Sequence, residues 1–202
     1  MKKRNVGFVF FALILAIIFT IVFGACSEQG EGGDEYGVLV DGKRYKIGDE
    51  GQAGGIVFYV HDDPEGFEVI GYGQAHYLEA AREDLSGTYK WGTEGIDIAY
   101  TRTELGYGRI NTDIIQDYTD DTPAANAFLT LEINGKTDWF LASSEELYLL
   151  FENKNLVPGM TESYWSSTQA VQTTDALMIN FSGSSSRLGK DSDLLVRPIR
   201  AF

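Results

Sequence analysis

The chain has 202 residues, of which 44% are hydrophobic and 13% aromatic, enough for one packed domain and too apolar for a disordered chain. Its 23 glycines against 4 prolines point to many turns between short strands. The formal charge is −14; residues 1–25 carry Lys2, Lys3 and Arg4 but no acid, so the rest holds 13 bases against 30 acids, or −17. Such a surface repels a phosphate backbone and no basic patch relieves it, which excludes nucleic acid as a partner.

The N-terminus opens with the basic MKKRN, followed by an apolar run from Val6 to Phe23 that is interrupted only by Gly7 and Thr20. Gly24 and Ala25 then precede Cys26, the only cysteine in the chain. A basic start, an apolar stretch and small residues before a cleavage site are the pattern of a secretory signal. The small pair directly before cysteine resembles a bacterial lipobox, in which that cysteine is acylated and becomes the mature N-terminus; Phe23 stands where the pattern usually has Leu. An uncleaved transmembrane helix is the other reading of this run, since about 18 apolar residues just span a bilayer. Both readings put residues 27–202 outside the cytoplasm. Ser27 after Cys26 favours the outer membrane, by resemblance to the known sorting rule, so the expected location is the bacterial cell envelope with the membrane engaged through the N-terminal lipid. With Cys26 lipidated, the remaining chain has no thiol for a disulfide, a nucleophile or a metal. The expected organisation is a signal peptide over 1–25, lipidated Cys26 with a flexible, acidic, glycine-rich tether over 26–44, and a domain over 45–202.

Asp41-Gly42 between apolar flanks predicts a hairpin. Ile56–Val60 reads as a buried strand, with GFEVIGYG (Gly66–Gly73) as its partner, while His76–Leu85 is ambiguous between strand and helix. Residues 86–112 are rich in Gly, Thr and Tyr and read as long loops. A short helix capped by Asn111 or Thr112 is expected next, then one with Thr122 as cap, Pro123 in its first turn and a stop at Asn134-Gly135. In the stretch TDWFLASSEEL (Thr137–Leu147), DWFLA reads as a strand. Ser143 and Glu146 have capping-box spacing, and Leu147, Leu150 and Phe151 give an apolar stripe. Ser143 or Ser144 as a nucleophile would need a base, and the chain has only His61 and His76, both distant in sequence. The C-terminal third alternates strands and turns and closes with LLVRPIRAF, where Pro198 predicts an edge or a bulge.

Several segments together resemble, in order, the C-terminal domain of a collagen-like bacterial adhesin, the Lcl C-terminal domain family, much of it of unknown function. They are IGDEGQAGGIVFYV (47–60), YLEAA (77–81), GYGRINTDII (106–115), AANAF (124–128), DWFLASSEEL (138–147), YWSST (164–168), INFSG (179–183) and VRPIRAF (196–202). The likeness covers about Tyr45 to Phe202, with Ala142 where the family usually has Pro. It implies an α+β domain related to the C-type-lectin-like and formylglycine-generating-enzyme folds: a small twisted antiparallel sheet, about two helices and long irregular loops. The cysteine-dependent oxidase activity of those relatives does not carry over, because the mature chain has no cysteine. Calcium-dependent sugar binding does not carry over either, because Glu-Pro-Asn and Trp-Asn-Asp are both absent from the sequence. The collagen-like adhesin binds sulfated polysaccharide, a polyanion poorly matched to this charge.

The expected function is therefore a lipid-anchored, non-catalytic binding or adhesion module whose ligand is a glycan or an envelope or host protein. Trp91, Trp139 and Trp165 are the candidate aromatic platform for sugar rings. No cofactor and no metal site is assigned, although the acidic groups at His61–Asp63, Asp117–Asp121 and Lys190–Asp193 have ligand chemistry suited to calcium. The alternative is an exported carbohydrate hydrolase using Asp and Glu, which needs two carboxylates facing each other about 5–10 Å apart in a cleft.

Overall fold

A computed structural model describes residues 38–118 and 121–202; the signal sequence, Cys26 and most of the expected tether lie outside the described residues. Among the described residues no helix is long and apolar enough to cross a membrane.

The described chain is mixed α and β, with several small antiparallel sheets and three helices. In chain order the elements are β1 (Ile56–Val60), β2 (Phe67–Val69), β3 (Gly73–Ala75), β4 (Tyr77–Ala80), β5 (Tyr89–Lys90), α1 (Gly108–Tyr118) and α2 (Pro123–Asn126). They continue with β6 (Phe140–Leu141), α3 (Ser144–Glu152), β7 (Ser163–Gln169), β8 (Asp175–Asn180), β9 (Ser184–Gly189), β10 (Asp193–Leu194) and β11 (Pro198–Ala201). The largest sheet has the order β1-β4-β11-β6, a second runs β7-β8-β9, and β2-β3 and β5-β10 are two-stranded. The expectation of one small sheet with about two helices is thus corrected to four sheets and three helices.

The apolar run of β1 forms the strand its composition predicts, but its partner is β4 rather than the Gly66–Gly73 segment. In that segment β2 instead folds back on β3 across the short link Ile70–Tyr72, a local closure of low entropy cost. The ambiguous segment at 76–85 supplies β4, which lies between β1 and β11 with every residue buried. A strand covered on both faces has no alternation to read. Residues 38–44, assigned to the tether, belong to the folded unit: Val40 packs against Tyr45, Val57 and Tyr77, and the Tyr77 hydroxyl donates to the Val38 carbonyl. Their Asp41-Gly42 turn forms as predicted, with Val40 bridged to Lys43.

Asn134-Gly135 is also a hairpin turn, not a helix stop. Both residues have positive φ, at 51° and 76°, and Ile133 bridges Lys136. Helix α2 ends earlier, at Asn126, and the Thr122 side chain makes no cap bond. Pro198 is on neither an edge nor a bulge. It is the first residue of β11, a central strand, where a missing N–H is tolerated, and its carbonyl accepts from the Ala81 N–H.

Two apolar clusters form the main core. One gathers Phe58, Leu78, Phe140, Leu147, Leu150, Ile179 and Ile199 between the four-stranded sheet and α3. The other gathers Trp91, Ile115, Phe128, Trp139, Trp165 and Val196 around α1 and α2. Charged groups are enclosed with them. Glu79 on β4 faces Arg200 on β11 as a register partner, at 3.0 Å, and also accepts from the N–H groups of Ala53 and Gly55. Arg200 continues to Asp138 at 2.6 Å and to Gln52. Burial pushes the Glu79 carboxyl above its ordinary pKa, and the Arg200 guanidinium and the backbone donors pull the other way. The 51–55 loop wraps this carboxylate closely. A Cβ on Gly51 would stand 2.3 Å from Glu79 Oε2, and one on Gly55 would stand 2.5 Å from the Ala80 carbonyl. Arg197 is equally enclosed, donating to Asp84 at 2.6 Å and to the carbonyls of Ala81 and Pro158. Both arginines of VRPIR are therefore structural, each with its own carboxylate.

Removing one partner of a buried pair leaves an uncompensated charge, worth about 3–5 kcal/mol. Urea denaturation at pH 7 is expected to show a loss of that size for Arg200→Met. The double variant Glu79→Leu/Arg200→Met should be more stable than Arg200→Met alone, and a single variant as stable as the parent would contradict the pairing.

Candidate functional site

The capping box predicted at Ser143 and Glu146 is present and does more than start α3. The Ser143 hydroxyl accepts from the Glu146 N–H at 3.2 Å, and Glu146 Oε2 accepts from the Ser143 N–H at 2.8 Å. Its other oxygen accepts from the Gly106 N–H at 2.9 Å and the Gly108 N–H at 3.4 Å, at the start of α1. One carboxylate therefore serves the positive ends of two helices. Glycine at 108 is set by this approach, because a Cβ there would lie 2.1 Å from Glu146 Oε2 and 2.9 Å from the Ser143 nitrogen.

This junction displaces the expected start of α1. Asn111 and Thr112 are not caps but buried members of the helix. Asn111 accepts from the Arg102 N–H and donates to its carbonyl and to Ser167 Oγ, while the Thr112 hydroxyl pairs with Gly108 and with Leu141 of β6.

With its start fixed, α3 turns Leu147 and Leu150 into the core and leaves Glu145 and Tyr148 exposed. The helix packs over β7 and β8, and between it and the sheet runs a groove of about 810 Å³. On the helix side stand Ser144, Glu145 and Tyr148; on the sheet side stand Leu177 and Ile179 of β8 with their register partners Arg187 and Ser185 of β9. Thr103 closes one end, where its carbonyl accepts from the Glu145 N–H and the Glu145 carboxylate accepts from the Leu105 N–H, both at 3.0 Å. Tyr148 is 46% exposed, and its ring lies against Phe151 with centroids 6.0 Å apart. Arg187 is paired with Asp175 at 3.3 Å and remains more than half exposed. An aromatic ring, a carboxylate, a guanidinium and several hydroxyls thus line one concave surface of a size suited to a small ligand.

The expected aromatic platform is not there. Trp91, Trp139 and Trp165 are core residues, exposed by 0, 3 and 0%. The Trp91 indole donates to the Ser166 carbonyl and that of Trp165 to the Tyr89 carbonyl, so no ring offers a face for stacking. The aromatic that does so, Tyr148, had a sequence signal: it interrupts the polar side of an otherwise regular amphipathic helix.

Neither Ser143 nor Ser144 has a histidine among its hydrogen-bond partners; the Ser144 N–H donates to Thr168, and His61 pairs with the Tyr59 hydroxyl at 2.8 Å. The groove lining holds one carboxylate, Glu145. Among the described residues no group of three His, Cys, Asp or Glu side chains is placed to hold a metal ion. Within the 190–193 acidic run, Lys190 is fully buried: its ammonium donates to the Ile96 carbonyl and Gln169 Oε1, both at 2.6 Å, and desolvation lowers its pKa to about 8. No family model matches the chain, and no curated protein matches it.

Burial pushes the Glu146 carboxyl up to about 7, against the pull of the N–H groups of Ser143, Gly106 and Gly108. A folded-state pKa above the unfolded value gives a stabilising contribution that is complete below about 4.5 and is lost as pH rises through 7. Denaturation midpoints measured between pH 4.5 and 8 should therefore show a decline, on the order of 3 kcal/mol from this group alone. Glu146→Gln should remove that component and lower stability at pH 5, and an unchanged pH profile in the variant would contradict the assignment.

Proposed function

We propose that this protein is a lipid-anchored, extracytoplasmic binding module without catalytic activity, related to the Lcl C-terminal domain family and its lectin-like fold, which holds a glycan in the groove between α3 and the β7-β8-β9 sheet. The observation that carries the reading is Tyr148, an exposed aromatic beside Glu145, Arg187 and serine hydroxyls on one concave surface. A sugar ring places its C–H face on an aromatic and its hydroxyls toward planar carboxylate and guanidinium groups, so this set matches its two-sided chemistry. The strongly acidic chain favours a neutral glycan over a sulfated one. A single carboxylate in the lining supports binding over hydrolysis, since the hydrolytic mechanism needs two. The lipid anchor rests on the lipobox at Cys26, the outer membrane on Ser27, and the mixed α and β architecture with its small antiparallel sheets is compatible with the lectin-like relationship.

A glycan array probed with the full chain in detergent micelles should return neutral oligosaccharides. Tyr148→Ala should weaken the best of them about tenfold, the scale of one aromatic stacking contact, with the melting temperature unchanged. An array with no bound glycan, or release of reducing ends from a bound polysaccharide, would overturn the reading. For the anchor, Cys26→Ala is expected to abolish incorporation of labelled palmitate and leave the unprocessed precursor. Labelling equal to the parent would count against lipidation at this residue.

A further inference from the structure

A sheet edge presents a row of unpaired N–H and C=O groups, and proteins normally cover or blunt it. The larger strands here are covered, and the covering groups have names. The outer side of β1 is taken by the 48–50 segment, with the Gly48 N–H donating to the Val57 carbonyl at 2.8 Å and the Val57 N–H to the Asp49 carbonyl at 2.9 Å; Asn153 reaches the Phe58 carbonyl. At the other end of that sheet, Leu141 of β6 is held by the Thr112 hydroxyl, and the Ala142 carbonyl by the Ser167 N–H. The outer side of β7 is taken by Leu195, which exchanges bonds with Trp165 and Ser163.

β9 differs. Residues Ser184 to Leu188 are all exposed. Among the described residues, none of their backbone groups bonds outside the β8 ladder except the Arg187 carbonyl, which the Ser186 hydroxyl reaches at 3.5 Å. The β8–β9 register runs unbroken from Asp175–Gly189 to Asn180–Ser184, so no bulge twists the edge away, and the strand contains neither proline nor lysine. Three small serines leave room for another backbone at hydrogen-bonding distance. Acidic groups near the strand are Asp191, whose carboxylate a Cβ on Gly189 would meet at 3.0 Å, and Glu145 across the groove. The cation of the strand, Arg187, is already paired with Asp175. A second copy of the chain would bring a second charge of −14 to this edge.

We infer that the open edge of β9 docks an extended, basic polypeptide segment of a partner protein, which adds as a fourth strand to the β7-β8-β9 sheet. Main-chain hydrogen bonds supply the affinity in this mode and the flanking acids select the charge. The inference does not depend on a glycan in the groove, because it uses the strand's backbone edge and not the face that Tyr148 overlooks.

Random twelve-residue peptides displayed on phage are to be selected against the full chain in detergent micelles, and the most enriched peptide synthesised. The expected peptide alternates Lys or Arg with β-branched residues, binds more weakly as salt rises, and slows exchange at least tenfold at those amides of residues 184–188 that face away from β8. Successive residues of an edge strand point their N–H groups alternately inward and outward. Of Ser185→Pro and Ser186→Pro, one therefore spares the β8 ladder. That variant, recognised by an unchanged melting temperature, should lose peptide binding at least tenfold, whereas Tyr148→Ala should keep it. The exchange measurement uses the unaltered chain and needs neither proline variant to fold. The inference is overturned by a selection that enriches nothing or by peptides that leave the 184–188 amides unchanged. It is equally overturned by outward-facing amides of 184–188 that are already protected in the free chain, where protection that grows with protein concentration would assign the edge to a second copy, and protection independent of it to the chain's own N-terminal segment.

Discussion

Among the described residues no cation pairs with Glu146, a carboxylate enclosed at the point where two helices begin. Its two oxygens face the N–H groups of Ser143, Gly106 and Gly108, so the starts of α1 and α3 are fixed relative to one side chain. The helix side of the groove follows from that placement. Helix α3 can lay Leu147 and Leu150 on the sheet and keep Tyr148 outward only if its first turn is held at this angle. The 103–105 segment that closes the groove is tied to the same turn through Glu145. A helix dipole is a weak, screened charge at a surface and a stronger one when dry, yet here burial outweighs it and holds the Glu146 carboxyl up at about 7.

A second enclosed carboxylate, Glu79, organises the β4–β11 pair by a different means. It has a full cation, Arg200, and the 51–55 loop folded over it. The two arrangements explain why segments far apart in sequence look like parts of one pattern. The glycine-rich stretch after Asp49 supplies the loop around Glu79, YLEAA supplies Glu79 itself, and VRPIRAF supplies the arginines that meet Glu79 and Asp84. Each segment is incomplete without the others, and each interaction is of the kind that costs several kcal/mol when halved.

The sequence was legible where a local rule settles the outcome. Ser143 and Glu146 stand three apart, Asp41-Gly42 is a two-residue turn, and the β-branched run of β1 has no competing reading. It was opaque where the deciding partner lies far along the chain. Whether 76–85 becomes strand or helix depends on β1 and β11 enclosing it, and nothing within the segment reports that. Asn111 and Thr112 have good cap chemistry, but their side chains are claimed by Arg102, Ser167 and Leu141. Asn134-Gly135 satisfies two local rules at once, and the bridge from Ile133 to Lys136 selects the hairpin. The tryptophans show the same limit at the site. Aromatic identity marks both a core and a platform, and burial alone separates them, so the residue carrying the groove was the less conspicuous Tyr148.

The strand order β1-β4-β11-β6 has a consequence for how the chain comes to be folded. β11, at residues 198–201, lies between β4 and β6, so β4 can pair with β1 early but β6 cannot join the sheet until nearly the whole sequence is available. Pairings of such long sequence separation form late and slowly, because loop closure must precede any reward from contact. A chain made from its N-terminus can therefore pair β1 with β4, β2 with β3 and β7 with β8 and β9, but its four-stranded sheet stays in two pieces until the last strand is free to join them.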